Sequence, residues 1–157
     1  MPTLVVNAPN LRIAYEGPLL VAVWTGAPQT GQISEINRVA SRASAAHGRP
    51  VALFDVIAEG RPEFTEALRK EGAKVVQTSS DIVLAVAHVV VPKGLAGSAM
   101  WAFLSTMTLL GRASAPTKVF GNLQDGAHWL ASQIADRVAG WSPERVLETY
   151  EEVRAAT

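Results

Sequence analysis

Two segments of the chain are apolar on both faces when they are written as β-strands: VALFDVI at 51–57 and DIVLAVAHVVV at 81–91. Successive side chains of a strand point to opposite sides of a sheet, so strands of this kind must be covered on both sides. They are typical of the centre of a parallel sheet, whose neighbouring strands need a crossover helix between them. The segments around these strands should therefore be helical.

Helical periodicity is found next to both strands. Residues 61–76 predict a helix that begins at Pro62 and Glu63 and turns Phe64, Leu68 and Val75 or Val76 inward. An earlier helix, in TGQISEINRVASRASAAHGRP, is ended by Gly48 and Pro50. Its apolar face carries Ile33, Ile36, Val39, Ala40 and Ala43.

The ends of the chain complete an alternating pattern. Segments 10–15 and 18–26 are β-branched-rich and are separated by a Glu-Gly turn, which predicts an antiparallel hairpin. A short strand at 117–121 precedes a helix that starts near Asn122 and Asp125, and a final helix spans 142–156. The predicted fold class is α/β, with a mostly parallel, mixed sheet opened by the hairpin and with helices on its faces. The length of 157 residues fits a single domain.

Composition excludes several classes of function. The 14 basic and 14 acidic residues balance and form no long run, so we expect no nucleic-acid partner. The absence of cysteine rules out disulfides, thiol nucleophiles and cysteine metal sites, and no histidine or carboxylate pair has metal-ligand spacing. We expect no metal and no cofactor. The N-terminus carries no signal-peptide pattern, which favours the cytoplasm.

The hairpin, the crossover into VALFDVI and the closing TKVFGNLQDGAHWLAS, with Phe120, Ala127, Trp129 and Leu130, resemble the STAS-like superfamily, whose members include SpoIIAA-like anti-sigma factor antagonists. The resemblance spans about residues 10–135 and leaves the helix at 142–156 as an addition. It implies a STAS-like fold and a bacterial regulatory protein that binds other proteins.

The junction after VALFDVI departs from the phosphorylatable members of that superfamily, which carry a serine or threonine there. Here it reads Ala58-Glu59-Gly60-Arg61-Pro62, and Thr65 is predicted to lie inside the first helical turns. The phosphorylation switch of those members is therefore not carried over to this chain. A helix N-terminus beside Arg61 could attract an anion, but a solvated loop in which Glu59 and Arg61 offset each other is the favoured interpretation.

Three other features have structural explanations. Asp55, near a strand end, is expected to accept hydrogen bonds from the following loop. His88 is expected to be hydrogen-bonded inside the core. The segment GLAGSA at 94–99 is interpreted as a strand-to-helix turn with Ser98 as N-cap. Since no nucleophile, base and orienting group are apparent together, we do not expect an enzyme.

The helix predicted at 97–110 has large apolar side chains around much of its circumference. Its length is near the lower limit for a membrane span, but its serines, threonines and glycines argue against one. Three interpretations remain open for its apolar surface: packing against the C-terminal helix, a homodimer interface, or the wall of a pocket for an apolar ligand.

These observations favour a non-catalytic protein-interaction module with a regulatory role, and a second copy of the chain is one candidate partner. The predicted binding surface joins the junction at 58–65 to the apolar helix, and a charge introduced at Met100 should weaken partner binding without unfolding the protein. The alternative is a carrier of a small apolar or lipid-like ligand, and the third hypothesis is a small α/β enzyme. The predicted surface or ligand wall consists of Glu59, Arg61, Thr65, Met100, Trp101, Phe103 and Met107.

Overall fold

A computed structural model describes residues 1–60, 65–79 and 81–157. These residues form one sheet of six strands, whose spatial order is the order of the sequence. The strands are β1 (Thr3–Asn7), β2 (Leu11–Glu16), β3 (Leu19–Trp24), β4 (Val51–Ile57), β5 (Val83–Val90) and β6 (Thr117–Phe120). The first three strands pair antiparallel and the remainder pair parallel, which confirms the predicted mixed α/β sheet and its opening hairpin.

Strand β1 was not predicted. It pairs antiparallel with β2 at the edge of the sheet, and its pairing is irregular between Leu4 and Val6. All five of its residues are exposed or only half-buried. An edge strand with this little burial has no strong alternation of apolar and polar residues, which is why its sequence carries a weak strand signal.

Five helices are found in the described ranges: α1 (Gln32–His47), α2 (Glu66–Thr78), α3 (Gly94–Gly111), α4 (Leu123–Ala135) and α5 (Pro143–Ala155). All five residues predicted for the inner face of α1 are buried, and Gly48 ends this helix in the left-handed conformation with φ of 78°. Asn122 and Ser142 cap α4 and α5 by accepting hydrogen bonds from the backbone N–H groups of Asp125 and Arg145. These predictions are confirmed.

The roles predicted for Thr65 and Ser98 at helix N-termini are wrong. Thr65 is the N-cap of α2, where its hydroxyl accepts a hydrogen bond from the Leu68 N–H at 3.2 Å, rather than a residue inside the helix. Ser98 is not an N-cap, because α3 already begins at Gly94. Gly97 lies against the Pro92 carbonyl oxygen, so the first turn of α3 packs directly on the end of the preceding strand segment. The predicted start at Pro62 and Glu63, like Phe64, lies outside the described residues.

The helices cover both faces of the sheet. One face packs against α1, α2 and α3, through residues such as Ile36, Leu68 and Phe103. The opposite face packs against α4 and α5, through residues such as Leu130 and Tyr150. The apolar helix α3 and the C-terminal helix α5 therefore lie on opposite sides of the sheet. The interpretation that they pack against each other is wrong.

Candidate functional site

A cavity of about 110 Å³ lies between the sheet and helices α1, α2 and α3. Its walls are mainly apolar, and all three helices and the central strands contribute to them; they include Ile36, Leu53, Val86, Met100, Phe103 and Met107. The exposed residues Glu59 and Gly60 line one end, where β4 leaves the sheet. The cavity is thus an apolar space in the α1–α3 half of the core, with access from the carboxyl ends of the parallel strands.

The close approach of α2 and α3 forms one wall of this cavity. Gly72 of α2 faces Met107 of α3 so closely that a Cβ atom on Gly72 would lie 1.8 Å from the methionine sulfur. Met107 itself is 5% exposed and lines the cavity. A flexible methionine packed over a glycine gives a wall that can adjust to the shape of a bound molecule.

A hydrogen-bonded group of three side chains forms the polar part of the cavity. Trp24, Asp55 and His88 lie near the carboxyl ends of β3, β4 and β5, each about 5% exposed, and all three line the cavity. Trp24 Nε1 donates to Asp55 Oδ1 at 2.9 Å, and Asp55 Oδ2 lies 2.7 Å from His88 Nδ1. Asp55 and His88 are partners in the register of β4 and β5, so the pairing of the strands itself brings the two side chains together.

The geometry indicates which nitrogen of the His88 ring carries a hydrogen. An ionised carboxylate can only accept, so Asp55 places a hydrogen on Nδ1 of His88. The other ring nitrogen, Nε2, is then an acceptor in the neutral ring and a donor in the protonated ring. Across the ranges that the structure describes, Nε2 has no hydrogen-bond partner.

The prediction for Asp55 is wrong in its partners, whereas that for His88 is confirmed. Asp55 accepts from Trp24 and His88, which lie on the two neighbouring strands, rather than from the loop that follows it. The sequence did contain a signal, because all three residues stand near the end of a predicted strand. What it lacked was the register, which decides that the three side chains meet.

Asn37 of α1 is a further polar residue of the cavity lining. Its Oδ1 is buried and has no hydrogen-bond partner in the described part of the chain. Buried polar side-chain atoms rarely stay unpaired, because an unpaired acceptor forfeits the hydrogen bonds that it makes with water. Sequence reasoning did not identify Asn37, which stands on a helix with ordinary amphipathic spacing.

The charge of the lining is acidic. Asp55 and Glu59 both line the cavity, and no lysine or arginine does so among the residues that the structure describes. Within the same residues, no three histidine, aspartate or glutamate side chains come together in a way that could hold a metal ion.

The residues of the predicted binding surface do not all lie together in the structure. Met100, Phe103 and Met107 line the cavity, with Glu59 at its open end, whereas Trp101 is 43% exposed and is not part of the lining. Thr65 is a helix cap, and Arg61 lies outside the described residues. Met100 is only 5% exposed, so the expectation that a charge there would spare the fold is wrong: it would bury an unpaired charge in the core.

The outer side of α3 also carries large apolar side chains that are exposed to solvent. Leu95, Leu109 and Leu110 are 91%, 79% and 63% exposed, beside the half-exposed Trp101. By length and composition alone, Gly94–Gly111 would suffice to cross a membrane, and 33% of it is buried in this structure. One such helix is weak evidence of a membrane span, since core helices of other proteins have the same length and composition.

No protein-family model matches the chain, and no curated protein matches it. Among solved structures, the chain is similar to an uncharacterized protein of the DUF3478 family from Shewanella loihica, which is described as having a SpoIIAA-like fold. The TM-score is 0.50 at 15% identity, and the match covers 83% of this chain and 92% of the other. The protein therefore has a SpoIIAA-like fold, as the resemblance to the STAS-like superfamily implied. At this level of identity the similarity concerns the fold alone.

Proposed function

We propose that the protein binds a small, mostly apolar molecule in the cavity between the sheet and helices α1, α2 and α3. The observation that carries this proposal is the cavity itself, an apolar space of about 110 Å³ whose lining also includes the polar residues His88 and Asn37. Binding sites for small molecules typically combine apolar walls with a few converging polar groups.

The energetics of packing support a ligand. Protein interiors are close-packed, with few voids larger than a water molecule. At about 24 cal/mol for each cubic ångström, an empty cavity of 110 Å³ would cost about 2–3 kcal/mol. A bound molecule would offset this cost by restoring the missing contacts.

We propose a binding role rather than a catalytic one. In the described ranges the hydrogen bond of His88 is to Asp55, and no serine or threonine hydroxyl donates to its ring. A hydrolase would need a nucleophile within hydrogen-bond reach of the base, together with donors for the developing oxyanion. The Asp55–His88 pair could supply a base and its orienting group, but in the part of the chain that the structure describes no nucleophile accompanies it.

Toluene and the methionine methyl groups of the protein test the binding proposal. The chain has three methionines; Met100 and Met107 line the cavity, whereas Met1 is fully exposed and serves as an internal control. We expect added toluene to shift the NMR signals of the first two methyl groups and to leave that of Met1 unchanged. Absence of saturable shifts at Met100 and Met107 would contradict the proposal. Native mass spectrometry of the purified protein would show in addition whether a molecule is carried along.

The exposed apolar side of α3 favours a second candidate function, binding of a protein partner. Leu95, Trp101, Leu109 and Leu110 present large apolar side chains to solvent from one helix. Apolar and aromatic side chains are typical of interface cores, and a second copy of the chain is the simplest partner with a matching surface. A regulatory role remains part of this candidate, as the resemblance to anti-sigma factor antagonists implied. A cytoplasmic location also remains part of it, and the absence of cysteine is compatible with that location.

Charge introduced on this surface tests the second candidate. We expect the protein to be dimeric in light scattering after gel filtration, and Leu109→Lys to make it monomeric, because a lysine there would be desolvated in the interface. Ala135→Lys, at an exposed position of α4 on the other side of the sheet, is the control and should stay dimeric. A monomeric wild-type protein, or a Leu109→Lys dimer, would contradict self-association through α3.

A further inference from the structure

We infer that His88 is the head-group site of this cavity, and that the ligand is a neutral molecule with a hydroxyl group on an otherwise apolar body. The inference rests on the proposed binding of an apolar molecule in the cavity, and adds the chemical class of that molecule.

The first argument is the way in which His88 is held. Its Nδ1 lies 2.7 Å from Asp55 Oδ2, and the other oxygen of Asp55 accepts from Trp24 at 2.9 Å. All three residues are about 95% buried, so the ring is fixed by hydrogen bonds and by packing. The hydrogen bond at Nδ1 thus fixes the orientation of the imidazole ring. The other nitrogen, Nε2, has no partner in the described part of the chain and belongs to a residue that lines the cavity.

The second argument concerns what can pair with Nε2. The neutral ring offers an acceptor there and the protonated ring offers a donor. A hydroxyl group both donates and accepts, so it pairs with His88 in either state. A ketone, ether or ester only accepts and would pair with the protonated ring alone.

The third argument is the charge of the lining. Two carboxylates, Asp55 and Glu59, line the cavity, and neither lysine nor arginine does so among the residues in the described ranges. An anionic head group would enter a largely apolar space that already contains carboxylates, and the His88 ring is already hydrogen-bonded to Asp55. Burial of a charge without a partner is far more costly than burial of a hydroxyl group with one. A neutral alcohol or phenol therefore fits the lining better than a carboxylate.

The size of the cavity sets the scale of the apolar body. A cavity of about 150 Å³ is known to hold benzene, and the present cavity of about 110 Å³ is smaller but is walled in part by Met100 and Met107. Its lining also reaches the exposed residues Glu59 and Gly60. Phenol is a suitable probe, because toluene matches its shape and differs only in replacing the hydroxyl group by a methyl group.

The experiment compares phenol and toluene on the wild-type protein. The chain has three histidines, and the ring nitrogens of each can be followed by NMR in protein labelled with ¹⁵N at histidine. His47 and His128 are absent from the cavity lining and serve as internal references. We expect phenol to bind at least as tightly as toluene and to shift the Nε2 resonance of His88. Toluene should bind without that shift.

Each other outcome has a definite meaning. In a purely apolar cavity phenol would bind at least about tenfold more weakly than toluene, because its hydroxyl group would be buried without a partner. That result, or phenol binding without a shift at His88, would overturn the assignment of His88 while the binding proposal stands. Tighter binding of benzoate than of phenol at neutral pH would overturn the neutral ligand class. Failure of both phenol and toluene to shift the Met100 and Met107 methyl groups would instead refute the proposed function.

Discussion

Asp55 shows how the role of a single residue depends on its neighbours in space. It is 5% exposed in the middle of the sheet, where an ionised carboxylate without donors would be strongly destabilising. Trp24 and His88 supply donors to its two oxygens from the adjacent strands. The three residues are therefore one structural unit, and removing one side chain should weaken the hydrogen bonding of the other two.

Trp24→Phe tests this unit at the residue scale. The substitution keeps an aromatic side chain but removes the donor to Asp55 Oδ1, which should lower the free energy of unfolding by about 1–3 kcal/mol. Urea denaturation measures the change. Trp101→Phe is the matched control, since Trp101 is 43% exposed, and it should cost no more than about 0.5 kcal/mol. Equal effects of the two substitutions would show that the Trp24–Asp55 hydrogen bond contributes little.

Tyr150 provides a prediction about pH. It is 1% exposed on the α5 side of the sheet, with its ring edge-on to Phe54, and burial raises the pKa of its hydroxyl group above the ordinary value of 10.0. In the unfolded chain Tyr150 ionises near its ordinary pKa, whereas in the folded protein it stays neutral to higher pH. Its contribution to stability is therefore fully present below about pH 10 and is lost as the pH rises through the folded pKa.

The measurement is the melting temperature of the wild-type protein and of Tyr150→Phe between pH 8 and 11. We expect the wild-type melting temperature to fall more steeply above about pH 10 than that of the variant. Parallel curves for the two proteins would contradict a raised pKa of Tyr150. The second tyrosine, Tyr15, is present in both proteins and cancels in the comparison.

At the scale of elements, the contact between α2 and α3 determines the shape of the cavity. Glycines allow this close approach: Gly72 lies against Met107, and Gly111 lies against Val76 and the Ala73 carbonyl oxygen. A Cβ atom on Gly111 would lie 2.5 Å from the Val76 Cβ atom and 2.6 Å from that oxygen. Both neighbours are rigid, because one is a branched carbon and the other is backbone.

Gly111→Ala should therefore force α2 and α3 apart, although alanine is the better helix former. We expect the free energy of unfolding to fall by about 1–3 kcal/mol, as is usual for overpacked sites. Ser105→Ala, at an exposed position of the same helix, is the control and should leave stability unchanged or slightly raised. A stabilised Gly111→Ala protein would mean that the two helices separate at little cost.

At the scale of the whole molecule, the two faces of the sheet differ. The face under α4 and α5 is filled by large side chains such as Phe54, Leu130 and Tyr150, each at most 1% exposed. The face under α1, α2 and α3 contains the cavity and the polar group of Trp24, Asp55 and His88. The first face thus serves mainly stability, and the second is the one on which we place ligand binding.

Ala40→Leu tests this division. Ala40 of α1 is 1% exposed and lines the cavity, so a leucine there would occupy part of the space of about 110 Å³. We expect toluene to bind at least about tenfold more weakly, while the loss of stability stays below the roughly 1–3 kcal/mol that is usual where a core has no space. Ala102→Leu, on the exposed side of α3, is the control and should bind toluene as the wild type does. Unchanged toluene affinity of Ala40→Leu would place the binding site elsewhere.

The sequence alone was enough to predict most elements of this fold and its class. Strands β4 and β5 are apolar on both faces, and α1 has a clear apolar stripe; these signals are local and depend on periodicities of two and 3.6 residues. Caps such as Asn122 and Ser142 were predictable for the same reason, since a cap bonds within its own helical turn. The weak edge strand β1 and the cap at Thr65 were missed or misplaced, because their local signals are faint or compete with neighbouring ones.

The candidate site was decided by the tertiary structure. Met100, Phe103 and Met107 were predicted as a wall or a surface, but only the packing of α3 over the sheet turns them toward a cavity and turns Trp101 away from it. Likewise, Trp24, Asp55 and His88 are 31 and 33 residues apart along the chain, and strand register alone brings them to hydrogen-bond distance. Periodicity is a property of neighbouring residues and can be read locally, whereas a cavity and a hydrogen-bonded group across three strands exist only once distant segments have packed together.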